Sequence, residues 1–106
     1  MEKQIVLIDM FSVPEAAVPE FLEAAGKLPP LLRTLPGYVE GWIFQSREAD
    51  SRVNVVTTAV WEDAAAFDNA KARAQEACKR INFDPQEVIA RLNVTMTRAT
   101  YQRAPY

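Results

Sequence analysis

The chain of 106 residues contains no histidine and a single cysteine, Cys78. The first absence removes imidazole general bases, Ser-His triads and His-ligated haem or zinc together. The second rules out an internal disulfide and, with the first, leaves no ligand set suited to a transition metal. Any catalysis must use carboxylates, Arg, Lys, Tyr, Trp or the reactivity of the substrate itself. Also missing is an excess of basic charge. The formal net charge is -2, which gives no electrostatic reason to expect nucleic acid. No apolar run approaches the ~20 residues that span a bilayer. At the N-terminus, Met1-Glu2-Lys3-Gln4 leads into a short apolar run that stops at Asp9, unlike a signal peptide. A reducing cytoplasm is the expected location.

What is present reads as a globular fold. Hydrophobic residues make up 49% and charged residues 25%, a balance that argues against disorder. Residues 1–106 are expected to form one domain, and a chain of that size buries only about 60–65% of its unfolded surface, so a partner would add stability. Gln4 to Phe11, with Ile5-Val6-Leu7-Ile8, reads as a strand buried on both faces. Pro19 suits the first position of a helix. Phe21, Leu22, Ala25, Leu28, Leu32 and Leu35 then make one apolar stripe, broken by Gly26 and Pro29-Pro30. Pro36-Gly37 ends this helical region, and Tyr38 to Ser46 follows as an aromatic-rich strand. Arg47 to Ser51 reads as a hairpin loop and Arg52 to Val60 as the returning strand. Asp63 is the expected N-cap of a helix reaching about Ile81, with Phe67, Ala70, Ala74, Ala77 or Cys78, and Ile81 facing inward. A short helical turn near Pro85 to Ala90 and a last strand from Leu92 to Gln102 complete the pattern.

The order β-α-β-β-α-β, with right-handed crossovers, predicts a ferredoxin-like α+β fold: a four-stranded antiparallel sheet with both helices on one face. Strand positions pointing both ways are apolar, as in Val55 against Val56 and Trp42 against Ile43. A sheet wet on one face would alternate more cleanly, so a two-fold homodimer through sheet faces is expected.

Two segments carry a resemblance: Leu35-Pro36-Gly37-Tyr38-Val39-Glu40-Gly41-Trp42 and Val60-Trp61-Glu62-Asp63-Ala64-Ala65-Ala66-Phe67. They resemble the antibiotic-biosynthesis-monooxygenase family of the dimeric α+β barrel superfamily, from about Ile5 to Tyr101. The resemblance implies a dimeric α+β barrel and, for the cofactor-free members, no cofactor. In those members an electron-rich phenolic or anthrone-type substrate is deprotonated and its anion reduces O2. The radical pair recombines at carbon, and loss of water leaves a quinone. The protein would hold the aromatic substrate, stabilise its anion and exclude water.

Carried onto this chain, the resemblance places Trp61 where the family keeps a pocket tryptophan. Phe67 stands where some quinone-forming members have a tyrosine, and Thr57 where the family has an asparagine. Lys71 replaces the histidine that ligates haem in haem-degrading relatives, which opposes that activity. Asp9 falls where those relatives keep an asparagine.

Each candidate has an alternative reading. Asp9 interrupts an apolar central strand, where a carboxylate is costly unless paired or protonated. Burial would push its pKa upward, toward a general base, whereas a structural ion pair with Arg98 on the last strand is the plainer reading. Trp61 walls a pocket or simply packs a strand end. Tyr38, sharing a strand face with Trp42 and Phe44, seals the helix-to-strand corner. The small residues of the second helix, Ala74 among them, roof a cavity or allow close packing. Arg80, near that helix's end, is the expected contact for an anionic substrate, while Arg73 and Lys71 are solvated. The expected function is oxidation of a small aromatic or polyketide-derived molecule with O2. Asp9 and Trp61 would be catalytic, and Thr57, Phe67, Ala74 and Arg80 would bind substrate. Alternatives are a non-catalytic ligand-binding or stress-related protein and a polyketide cyclase or isomerase.

Overall fold

The computed structural model describes residues 3–47 and 51–105. Its strands are β1 (Ile5–Pro14), β2 (Tyr38–Arg47), β3 (Arg52–Trp61) and β4 (Thr95–Tyr101). Its helices are α1 (Val18–Ala25), α2 (Pro29–Leu32), α3 (Ala64–Arg80) and α4 (Pro85–Arg91), with a 3-10 turn at Glu15–Ala17. The strands form one antiparallel sheet in the order β2-β3-β1-β4, the ferredoxin-like arrangement expected from the chain order. Of the expected hairpin loop, residues 48–50 lie outside the described residues. No helix among the described residues is long and apolar enough to cross a membrane.

Local chemistry accounts for most boundaries. Proline opens α2 and α4 and is the second residue of α1, after Val18, positions in the first turn where its missing N–H costs nothing. The Asp63 side chain accepts from the Ala66 N–H at 2.8 Å, and that of Asp84 from the Gln86 N–H at 3.0 Å, capping α3 and α4. β1 runs three residues past Phe11 because Ser12, Val13 and Pro14 stand opposite Asn54, Val53 and Arg52. β4 starts later than Leu92: Asn93, at φ 58°, closes α4, and the Val94 N–H donates back to Ile89 O at 2.9 Å.

Strand alternation sorts the side chains into two faces. Toward the helices point Leu7, Asp9, Phe11 and Val13 of β1, Val53 to Trp61 at odd positions of β3, and Met96, Arg98 and Thr100 of β4. Val6, Ile8, Met10, Val56 and Val60 point the other way, joined from β2 by Trp42 and Phe44. A register shift between Tyr38 and Glu40 separates Tyr38 from these two. Tyr38 lies opposite inward-facing Trp61, whereas Trp42 and Phe44 lie opposite Thr58 and Val56. The expectation that Tyr38, Trp42 and Phe44 share a face is therefore corrected, because a bulge reverses the alternation.

The core is split. One cluster of Val13, Val18, Phe21, Val53, Val55 and Val94 closes one end of the space between sheet and helices. A second, of Trp61, Ala66 and Ala70 with Leu32, Leu35 and Tyr38 against it, closes the other. Ile81, expected to face inward on α3, is 55% exposed: it falls past the helix's last turn, at the C-cap.

Candidate functional site

Between the two clusters lies a cavity of about 980 Å³, near the upper end of the ~300–1,000 Å³ typical of small-ligand pockets. The sheet is its floor and the helices its roof. Three rungs across the sheet define that floor. Ile43, Thr57, Asp9 and Arg98 stand side by side on β2, β3, β1 and β4. On one side the rung is Gly41, Ala59, Leu7 and Thr100; on the other, Phe11 and Met96 stand opposite each other, with Val55 beside Phe11 buried in the core. A charged rung thus crosses a floor that is otherwise apolar or small. Phe67, Ala70, Lys71 and Ala74 of α3 form part of the roof.

Asp9 is 6% exposed and is the one buried polar or charged residue among the described residues. Arg98 donates to it through both arms of a fork, Nε to Oδ1 at 2.7 Å and Nη2 to Oδ2 at 2.9 Å. Hydrogen bonding to Asp9 raises the Arg98 pKa above its ordinary value; partial burial opposes this and the attraction between the charges adds to it. The geometry matches the ion-pair reading of Asp9, and the same carboxylate also lines the cavity. The two readings are not exclusive.

Trp61 is 2% exposed, and its ring meets Tyr38 edge-on at 5.4 Å between centroids. Its indole N–H makes no hydrogen bond among the described residues, yet it is not sealed off, since no fully buried side-chain nitrogen lacks a partner. Trp61 thus brings to the cavity lining an indole whose N–H has no protein partner among the described residues. Asp9 and Trp61 line the same space, but Thr57, opposite Asp9, lies four positions before Trp61 along β3, or about 13 Å of strand. One ligand touching both must be extended.

The corner beside Trp61 depends on Gly37, at φ 82°. A Cβ there would sit 2.4 Å from the Ala66 Cβ, so glycine lets the start of α3 close over the strand ends. The carbonyl of Gly37 also accepts from the Glu62 N–H at 2.8 Å.

Of the residues singled out from sequence, Asp9, Thr57, Trp61, Phe67 and Ala74 line the cavity together. Arg80 does not; it is exposed near the end of α3, beyond the stretch of the helix that roofs the space. The cations at the cavity are Arg33, Lys71 and Arg98 instead. Lys71 leans over the Phe67 ring, with Nζ 5.7 Å from the centroid. Tyr38 borders the cavity as well as closing the corner, a role hidden by the bulge that follows it. Cys78 is not among the lining residues, and burial, with a smaller contribution from Asp84, pushes its thiol pKa up.

This chain belongs to the antibiotic biosynthesis monooxygenase family, whose model matches residues 4–80. Solved structures share its fold. SnoaB of Streptomyces nogalater, a cofactor-independent oxygenase, is 20% identical, with 98% of this chain and 96% of that one covered and a TM-score of 0.66. A dimeric ferredoxin-like protein from an uncultured marine organism is 13% identical, with 99% of each chain covered and a TM-score of 0.75. At these identities the likeness establishes architecture and no reaction. No curated protein matches the chain.

Proposed function

We propose that this protein is a homodimeric, cytoplasmic, cofactor-independent monooxygenase that oxidises a small aromatic or polyketide-derived substrate with O2. The carrying observation is the cavity itself: apolar and aromatic walls around one charged rung, with Trp61 among the lining residues at the far end. Trp61 and Phe67 would hold the ring system, and Thr57 would add a hydroxyl contact. The Asp9 and Arg98 pair would set the field in which the substrate's anion forms, a task that fixed charges perform better than mobile water. Family membership supports the oxygenase reading, as does the fold shared with an oxygenase that needs no cofactor.

Dimerisation is supported by the uncovered sheet face, where Met10, Trp42, Phe44 and Tyr101 are about half exposed or more. The molecule is also a slab of 42 × 39 × 17 Å with a radius of gyration of 14.5 Å, against the ~13 Å of a compact chain this long.

Oxygen uptake with model anthrones and hydroquinones, aerobic against anaerobic, tests the activity. Turnover by the wild type should fall at least about tenfold in Asp9→Ala and in Trp61→Phe, the loss expected on removing one polar group that acts in the transition state. The absence of any oxygen-dependent product would reject the proposal. A binding protein without catalysis is the second reading, favoured by one observation: Arg98 already engages both Asp9 oxygens, leaving less of that carboxylate to act as a base.

A further inference from the structure

We propose that Arg98 selects the ligand of this cavity, and that the ligand is an aromatic carboxylate. The inference rests on the cavity being the ligand site and adds the charge of what enters it.

The Asp9 fork uses Nε and Nη2 of Arg98, and Nη1 has no partner among the described residues. The Arg98 side chain is 56% exposed while lining the cavity, so this third arm is reachable. Asp9, 8% exposed at its side chain, acts as a positioning residue that holds the guanidinium plane. Thr100 lies two residues along β4 on the same face and lines the cavity too. A carboxylate has two oxygens to set against one guanidinium arm and a neighbouring hydroxyl, and guanidinium geometry favours such planar anions.

Stability alone does not explain the pair. Its neighbours on that face of β1 and β4 are Leu7, Phe11, Met96 and Thr100, so an apolar pair would extend a largely apolar surface. Ion pairs in such settings give little or no net stability over apolar residues of the same volume. The charge balance of the cavity points the same way. Arg33, Lys71 and Arg98 line it, and neither Arg33 nor Lys71 has an ion-pair partner among the described residues. Of the two lining carboxylates, Asp9 is held by Arg98, and Glu40 accepts from the Trp42 indole at 2.9 Å. Cations thus face the space without a free counter-anion, beside walls suited to a ring.

The probes are 2-naphthoate and 2-naphthamide, nearly equal in shape and different in charge, titrated calorimetrically into the full chain. The wild type should bind the carboxylate at least about tenfold more tightly, as expected for a hydrogen bond between charged groups. The double variant Asp9→Asn/Arg98→Met removes both charges, leaves no orphaned ion, and should bind the two probes about equally. Arg98→Lys, which keeps the charge, should retain a reduced preference and serves if the double variant does not fold. Equal affinities in the wild type would overturn the proposal. So would a preference that survives the double variant but vanishes in Lys71→Met, or tighter binding of 2-naphthol than of 2-naphthoate. If neither naphthyl probe binds but oxygen is consumed with a hydroquinone, this inference fails alone. If both fail, the cavity is not a ligand site.

Discussion

Asp9 and Arg98 are unequal partners, and the inequality can be measured. Loss of Arg98 would leave a carboxylate in a site where water reaches only 6% of the residue. Loss of Asp9 would leave a half-exposed guanidinium that solvent can hydrate. Arg98→Ala should therefore destabilise by about 3 kcal/mol, the lower end for a broken buried pair. Asp9→Ala should cost about 1 kcal/mol, as for a pair open to water on one side. Urea unfolding of the two variants would check this, and equal costs would mean that Asp9 is better hydrated than its burial indicates. Asp9 drew notice in the sequence because it interrupts an apolar strand, and Arg98 because it falls on the neighbouring strand. That the pair also borders a cavity was not legible there, since the gap between the two core clusters depends on how far the helices stand from the sheet.

At the scale of elements, the site depends on how β3 hands over to α3. Trp61 ends the strand, Asp63 caps the helix, and Gly37 lets Ala66 approach. Asp63→Ala should cost about 1 kcal/mol, the usual worth of a cap. Gly37→Ala should cost more, about 2 kcal/mol, from the left-handed φ and the clash with Ala66 combined. Thermal melts would show the first as a Tm drop of about 4–8 °C and the second as a larger one. If Gly37→Ala were the milder of the two, the corner would be looser than its geometry implies. These signals were readable in sequence because caps and turns act over three or four residues. The bulge after Tyr38 was not, because strand alternation is inferred from regular spacing and one extra residue reverses it.

For the whole molecule, the uncovered apolar sheet face is the surface that a dimer would bury. Phe44→Lys places a charge on that face, on the opposite side of the sheet from the cavity, and should shift the particle from a dimer toward the 11.9 kDa monomer in sedimentation equilibrium. A wild type that sediments at the monomer mass would reject dimerisation through the sheet. The mixed apolar pattern of both strand faces made this surface predictable, since periodicity reports which positions avoid water without saying what covers them.

The order of elements, the ferredoxin-like topology and the family were legible in the amino-acid order alone, because they follow from local propensity, crossover handedness and short segments acting over few residues. The same order also brought Asp9, Thr57, Trp61, Phe67 and Ala74 forward as candidates. That these five share one cavity, that Arg80 lies outside it, and that Arg98 lines it with an arm to spare emerged from the folded arrangement. Those facts depend on strand register, a bulge and the spacing between two packed layers, distances set by contacts between residues far apart in the chain.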